Sequence, residues 1–329
     1  MEYLNEEVVA KHHALLEDAI KEVQKIIVGY KDIIEEVFIA ILSNGNILLE
    51  GVPGLGKTLL VQSLSRVFSL DYSRIQFTPD LMPADITGTN ILIEDRKGNR
   101  VFEFRKGPLF SQLVLADEIN RATPRTQSAL LEAMQEKNIT VAGTTYTLKQ
   151  PFFVIATQNP LEMEGTYQLP EAQLDRFLFQ LKFYNPDLIE LKEILSRTTG
   201  IVQPELKSII TQKEILEIQH IIKQIPISSE VMDFAAKIIL STHPGDENNL
   251  EVVNKYVKYG SSPRGGQALI MAAKARSFIK GRYNVSMEDI KHVAIPALRH
   301  RILLNFEGEA TDIKPEDIIY SSVKYSSNK

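Results

Sequence analysis

The residues of this chain best suited to chemistry are Gly51-Val-Pro-Gly-Leu-Gly-Lys-Thr58. They fit G-x-x-x-x-G-K-[ST], the phosphate-binding loop called Walker A. Gly51, Gly54 and Gly56 let the backbone curl so that successive N–H groups face phosphate oxygens. Lys57 would reach the outer phosphates and Thr58 would hold Mg²⁺. Pro53, Leu55 and Leu59 complete the set expected against the nucleotide. The apolar run Ile47-Leu48-Leu49 precedes the loop and the helix-forming run Leu59–Leu64 follows it. That is the strand–loop–helix context the motif needs, and the helix start adds its partial positive charge.

Phosphate binding alone is not hydrolysis, which also needs a metal ligand, an activator of water and a stabiliser of developing charge. Val114-Leu-Ala-Asp-Glu118 reads as a buried strand ending in two acids. Asp117 would bind Mg²⁺ through water, and Glu118 would polarise the attacking water. The strand Phe153-Val-Ile-Ala156 runs into Thr157-Gln-Asn-Pro160. Asn159 would emerge at the same sheet edge as Asp117, where its amide can bond both water and γ-phosphate; the competing reading is a turn former before proline. Arg176, in Leu174-Asp-Arg-Phe177, stands just before the last strand and suits an arginine finger supplied by a neighbouring subunit. Its alternative is an internal pair with Asp175. Arg121 and Arg125 are further candidates for a subunit interface. Arg264, in Ser262-Pro-Arg-Gly-Gly-Gln267, would sit in the first turn of a helix, against the dipole preference. It could reach back to the γ-phosphate, or be a solvated arginine in a capping loop.

These residues need a frame to hold them. The 329 residues suggest about two domains. A content of 44% hydrophobic and 24% charged residues is that of a globular protein. Strand candidates at 46–50, 74–77, 112–116, 152–157 and 177–183 alternate with helical patterns, which implies a mostly parallel sheet covered on both faces. Two hairpins interrupt the alternation, at about 91–105 and 138–149. From Asn185-Pro-Asp187 onward the pattern is helical only. The expected division is an α/β nucleotide-binding domain over 1–185 and a small all-α lid over 186–329, ending in a polar, frayed tail from Ser321.

Other function classes find little support. No apolar run is long enough to span a bilayer, and the N-terminus lacks the features of a signal peptide. The chain has no cysteine, which excludes disulfides and thiolate chemistry and fits a cytoplasmic setting. Its six histidines show no metal-ligand spacing. A net charge of −5 speaks against a protein that coats nucleic acid.

The order Walker A, Asp117-Glu118, Asn159, Arg176, Arg264 resembles that of AAA+ ATPases, in the clade with both a helix-two insert and a pre-sensor-one insert. More closely, Phe77-Thr-Pro-Asp-Leu-Met-Pro-Ala-Asp-Ile-Thr-Gly88, Asp117-Glu-Ile-Asn-Arg-Ala122, Gln127–Glu136, Ala156-Thr-Gln-Asn-Pro160, Gly165–Phe177 and Leu298-Arg-His-Arg301 resemble the MoxR family. The resemblance runs from about residue 20 to 320. It implies that Asp117 and Glu118 are Walker B, Asn159 is sensor one, Arg176 the arginine finger and Arg264 sensor two. It also implies a P-loop core with a helical lid, ATP and Mg²⁺ as cofactors, and a homo-oligomeric, usually hexameric, ring. ATP would sit between core and lid with Gly29 near the adenine. The implied work is chaperone-like remodelling of a client protein or help in inserting a metal cofactor. Such proteins usually act with von Willebrand factor A domain partners. No such domain is fused here, since D-x-S-x-S is absent and Asp71-Tyr-Ser-Arg-Ile75 is the nearest approach. That partner would be a separate chain. The rival is a ring motor that grips DNA with its hairpins, but these are poor in the positive charge and aromatic platforms such a grip needs.

Overall fold

Ile47-Leu48-Leu49, Val114-Leu115-Ala116 and Val154-Ile155-Ala156 are apolar at every position, as strands covered on both faces must be. The computed structural model describes residues 6–94, 99–160, 166–200, 205–245 and 250–327, with side chains from Val9 onward. Arg96 and Lys97 of the first hairpin and Gly165 lie outside the described residues. The chain runs α1 (Glu6–Gln24), α2 (Lys31–Leu42), β1 (Ile47–Glu50), α3 (Lys57–Val67), β2 (Tyr72–Gln76), α4 (Pro83–Thr87), β3 (Gly88–Glu94) and β4 (Arg100–Lys106). It continues through β5 (Leu113–Asp117), α5 (Pro124–Glu136), β6 (Asn138–Val141), β7 (Thr144–Thr147), β8 (Phe153–Gln158), α6 (Glu171–Leu174) and β9 (Phe179–Lys182).

Five strands form one parallel sheet in the order β2-β5-β8-β1-β9. Their carboxyl ends therefore share one edge, and the loops after β1, β5 and β8 meet there. Successive residues of each strand face opposite sides. Ile47, Leu49, Leu113, Leu115, Phe153 and Ile155 pack toward α1, α2 and α3. Leu48, Val114, Ala116, Val154 and Ala156 pack toward α5 on the other side. β3 pairs antiparallel with β4, and β6 with β7. Phe104 of β4 stacks on Tyr146 of β7 with ring centroids 4.3 Å apart, joining the two hairpins.

Beyond the sheet come α7 (Leu188–Thr199), α8 (Gln212–Gln224), α9 (Ser229–Ser241), α10 (Glu251–Tyr256), β10 (Val257–Tyr259), α11 (Pro263–Ile279), α12 (Met287–Leu298), β11 (Leu303–Leu304), α13 (Phe306–Ala310) and α14 (Pro315–Ser327). Two features differ from the sequence pattern. A short antiparallel pair, β10 with β11, interrupts the helices. The polar C-terminal stretch is helical through Ser327, because Ile318, Ile319, Ser322 and Ser326 are buried on one face. The helices also share a core with the sheet. Ile215, Ile218, Phe234, Leu269, Ala272 and Val293 belong to the same apolar cluster as α1–α3.

One buried charge ties this helical part together. Asp289, fully buried on α12, accepts from Arg276 Nη1 (2.5 Å), Arg282 Nη1 and Nη2 (2.8 and 2.5 Å) and the Ser286 N–H and hydroxyl (2.9 and 2.7 Å). Burial pushes its pKa up, but the bonds from Arg282, Ser286 and Arg276 outweigh burial and hold it at about 2. The folded pKa lies below an unfolded value of about 3.9. This carboxylate therefore stabilises the fold above about pH 4, and the contribution is lost as pH falls toward 2. Asp289→Asn is expected to cost about 3 kcal/mol at pH 7, because it takes the anion from Arg282 and leaves Arg276 only Glu35, 3.8 Å away. Urea melts should show the gap at pH 7 and its narrowing below pH 4; a constant gap would reject the charge as its cause.

Candidate active site

The Walker A loop leaves β1 and closes onto the first turn of α3. Gly54 and Gly56 have φ of 88° and 85°, the left-handed region that glycine reaches without steric cost. A Cβ on either would meet nothing within 4 Å, so the backbone conformation rather than lack of room is what calls for glycine there. Lys57 donates from Nζ to the carbonyls of Gly51 and Val52 (3.3 Å to the latter). Burial lowers the Lys57 pKa, and Asp117, Glu118 and Glu50 oppose that shift. Around the loop lies a cleft of about 400 Å³ lined by Pro53, Gly54, Gly56, Lys57, Thr58 and Leu59, with Asp117, Glu118 and Asn159 facing them from β5 and β8.

The two acids are held differently. Asp117 Oδ1 accepts from the Thr157 hydroxyl at 2.6 Å, and its Oδ2 from Arg74 Nε (3.1 Å) and Nη2 (2.6 Å). Glu118 leaves the strand at φ 57°, ψ 51°, a costly conformation for a residue with a Cβ. Its N–H donates to the Thr157 hydroxyl oxygen at 2.8 Å, fixing that turn. Its Oε2 accepts from Gln76 Nε2 (2.8 Å) and pairs with Arg121 Nε (3.0 Å). Strain of this kind gathers at functional sites. Asn159 is buried and lines the same cleft.

Arg74, Gln76 and Thr157 line the cleft and were not among the residues singled out from the sequence. The polar–apolar–polar run Arg74-Ile75-Gln76 was the available signal, since it puts both polar groups on one strand face. Their meeting with the acids depends on the β2–β5 register, which sets Gln76 opposite Asp117.

Not every expected residue reaches this cleft. Gly51 lies beneath Phe183, where an added Cβ would stand 2.8 Å from the Phe183 Cβ, and Leu55 packs beside it. Gly29 sits against the start of α7, where an added Cβ would collide with the Glu190 carboxylate. Tyr30 bridges the two places, with its ring centroid 4.8 Å from that of Phe183 and its hydroxyl donating to the Tyr184 carbonyl at 2.8 Å.

Arg176 and Arg264 line a different cavity, of about 330 Å³, together with Asn46, Asp175 and Arg301. Arg176 donates from Nη1 to the Leu131 carbonyl at 3.0 Å. Arg264 Nη1 lies 3.7 Å from Asp175 Oδ2. The topology explains the separation. Arg176 precedes β9, which runs parallel to β1, so it stands at the amino edge of the sheet while the cleft opens at the carboxyl edge. The four residues of β9 span about 13 Å between those edges.

The donor set suits a nucleotide accompanied by Mg²⁺. Backbone N–H groups, the helix start and Lys57 offer positive charge to phosphates. The Thr58 hydroxyl and the Asp117 carboxylate are hard oxygen ligands. Among the described residues no group of three or more His, Asp or Glu side chains could cage a metal. Mg²⁺ needs no such cage when one or two protein oxygens are joined by phosphate oxygens and water.

Known proteins share this arrangement. Residues 46–179 match the ATPase family associated with various cellular activities (AAA), and residues 250–321 match the AAA lid domain. Chaperone MoxR1 of Mycobacterium tuberculosis is 41% identical over 304 residues, spanning 92% of this chain and 80% of the relative. Protein MoxR of Methylorubrum extorquens is 28% identical over 319 residues, spanning 90% of each. A crystal structure of a candidate ATPase from Cytophaga hutchinsonii superposes with a TM-score of 0.91 at 43% identity, spanning 97% of this chain and 96% of that one. With a Walker A cleft, a parallel sheet, a helical lid and such identity along nearly its whole length, the chain belongs to the MoxR family of AAA+ ATPases.

Proposed function

We propose that this protein is a Mg²⁺-dependent ATPase whose active sites are completed between subunits of a ring, and that it couples hydrolysis to the remodelling of partner proteins. The observation that carries this reading is the placement of nucleotide-binding and arginine residues at opposite edges of one sheet. A subunit whose cleft holds Arg74 engaged with Asp117, and whose Arg176 and Arg264 line a cavity at the other edge, is suited to head-to-tail association that closes into a ring. A hexamer is the expected count.

Within the cleft, the loop from Gly51 to Leu59 cradles the phosphates, with Lys57 on the outer ones. Mg²⁺, held by Thr58 and through water by Asp117, would neutralise charge on the β- and γ-phosphates. Glu118 polarises the attacking water and Asn159 orients it against the γ-phosphate. The adenine extends toward Gly29, where α2, Phe183 and the start of α7 converge. Arg176 serves the next subunit's nucleotide. Arg264 is assigned to that nucleotide as well, because its ion pair with Asp175 places it beside Arg176 rather than at its own γ-phosphate.

Remodelling of a client accords with the name of the M. tuberculosis relative as a chaperone; help in metal-cofactor insertion is proposed from the sequence resemblance alone. The paired hairpins suit contact with a polypeptide: Leu92 and Phe102 face each other across β3 and β4, and are 52% and 76% exposed. A von Willebrand factor A domain partner would be a separate chain. No helix among the described residues is long and apolar enough to cross a membrane.

A shared site makes one measurement decisive. Phosphate release per subunit, with Mg²⁺ and saturating ATP, should rise with protein concentration in step with ring formation followed by sedimentation. A per-subunit rate that stays flat while the assembly grows would reject shared sites.

A further inference from the structure

The residues Leu298-Arg-His-Arg301 end α12 and grip the segment that carries Arg176. Arg301, with 4% of its side chain exposed, donates from Nε to Asp175 Oδ1 at 2.7 Å. Its Nη2 donates to the carbonyls of Asp175 (3.1 Å) and Phe177 (2.7 Å), and its Nη1 to those of Leu178 (3.2 Å) and Ala297. The His300 Nε2 lies 3.1 Å from the same Phe177 carbonyl. Burial drives the His300 pKa well below its usual value, so the ring is neutral and Nε2 carries the proton. Residues on both sides of Arg176 are thus anchored to the end of α12.

The other oxygen of Asp175 faces α11. Oδ2 accepts from the Ser262 hydroxyl at 3.2 Å and pairs with Arg264 Nη1 at 3.7 Å. One carboxylate, on the residue next to Arg176, therefore binds Arg301 through one oxygen and Arg264 through the other. Packing alone does not call for this arrangement, because an apolar side chain fills buried space without the desolvation that a guanidinium incurs. What a planar fork adds is simultaneous geometry at a carboxylate and several carbonyls.

We propose that Asp175 and Arg301 are positioning residues that hold Arg176 and Arg264 as a single two-arginine clamp, aimed at the nucleotide of the neighbouring subunit. The proposal rests on the shared-site reading above. It makes the clamp rigid within a subunit, so a shift of α11 and α12 moves both arginines together.

Misplacing a transition-state contact by about 1 Å costs on the order of 100-fold in rate. Asp175→Asn and Arg301→Lys are therefore expected to lower kcat in the assembled ring about 100-fold, while KM and the affinity for a fluorescent ATP analogue stay at parent values. Mixing either variant with Glu118→Gln subunits should restore turnover, because the variant keeps its own acids and the Glu118→Gln neighbour keeps its clamp. Arg176→Ala, mixed in the same way, tests the underlying reading: if it is not rescued, the sites are not shared. If Arg176→Ala is rescued but the positioning variants keep the parent rate alone, or lose activity that mixing does not restore, Asp175 and Arg301 only maintain the fold and the clamp is rejected. Arg301→Lys retains the charge and carries the test where Asp175→Asn is too unstable to purify.

Discussion

Arg176→Ala is expected to lower turnover in the assembled ring by about 10³-fold or more, the range over which an arginine finger acts. The loss should fall on kcat. Arg176 stands at the amino edge of the sheet, a strand's length from the cleft of its own chain, so its removal leaves that cleft's lining intact. The fold should tolerate the change, since the guanidinium gives up one hydrogen bond to the Leu131 carbonyl, a loss of about 1 kcal/mol. The diagnostic feature is concentration dependence. Parent turnover per subunit should climb as rings form, whereas the variant's residual rate should stay flat, because association no longer completes a site. Steady-state phosphate release across a dilution series, paired with sedimentation to show that the variant still assembles, measures both. A variant that assembles and retains the parent kcat would remove Arg176 from the reaction.

Glu118→Gln is expected to bind ATP as the parent does and to lose turnover by roughly 10²- to 10⁴-fold, the contribution of a positioned general base. The substitution keeps size and hydrogen-bonding capacity but gives up the carboxylate that polarises water. The Glu118 carboxylate is held by Gln76 and Arg121, both outside the Walker A loop. Equilibrium titration with a fluorescent ATP analogue and single-turnover hydrolysis separate the two effects. Hydrolysis at the parent rate would show that another group activates the water, and Asp117, 13% exposed and locked between Thr157 and Arg74, is poorly placed to do so. The same variant, held with ATP bound, is the preparation with which to capture the client.

The legible parts of this protein are those whose physics is local. A glycine-rich loop between an apolar run and a helix announces itself over eight residues, because left-handed backbone and helix start are properties of consecutive residues. Continuous apolar strands alternating with helical periods lead to a covered parallel sheet, because strands buried on both faces admit no polar side. The polar C-terminal stretch differs from its sequence pattern for the converse reason. Its serines look solvated in sequence, yet Ser322 and Ser326 face the core of α9 and α12, which only packing reveals.

The cleft shows the same divide. Asp117 and Glu118 could be read from a strand ending in acids, but the groups that hold them could not. Arg74 and Gln76 meet them through the β2–β5 register, and Thr157 through the pairing of β5 with β8. Arg301 reaches Asp175 across 126 positions of sequence. Register and long-range packing are decided by the summed burial of both partners, which no single segment encodes.

Local pattern alone reveals a phosphate-binding loop, two acids at the end of a strand, and a frame of parallel α/β sheet with a helical appendage. Which residues stand at which edge is set by packing in three dimensions. Because every strand of the sheet runs the same way, residues after β1, β5 and β8 converge on one edge, and the residue before β9 is carried to the opposite one. That directional fact is invisible in the spacing of Arg176 and Arg264, and it turns a list of candidate residues into a cleft at one edge and a clamp at the other.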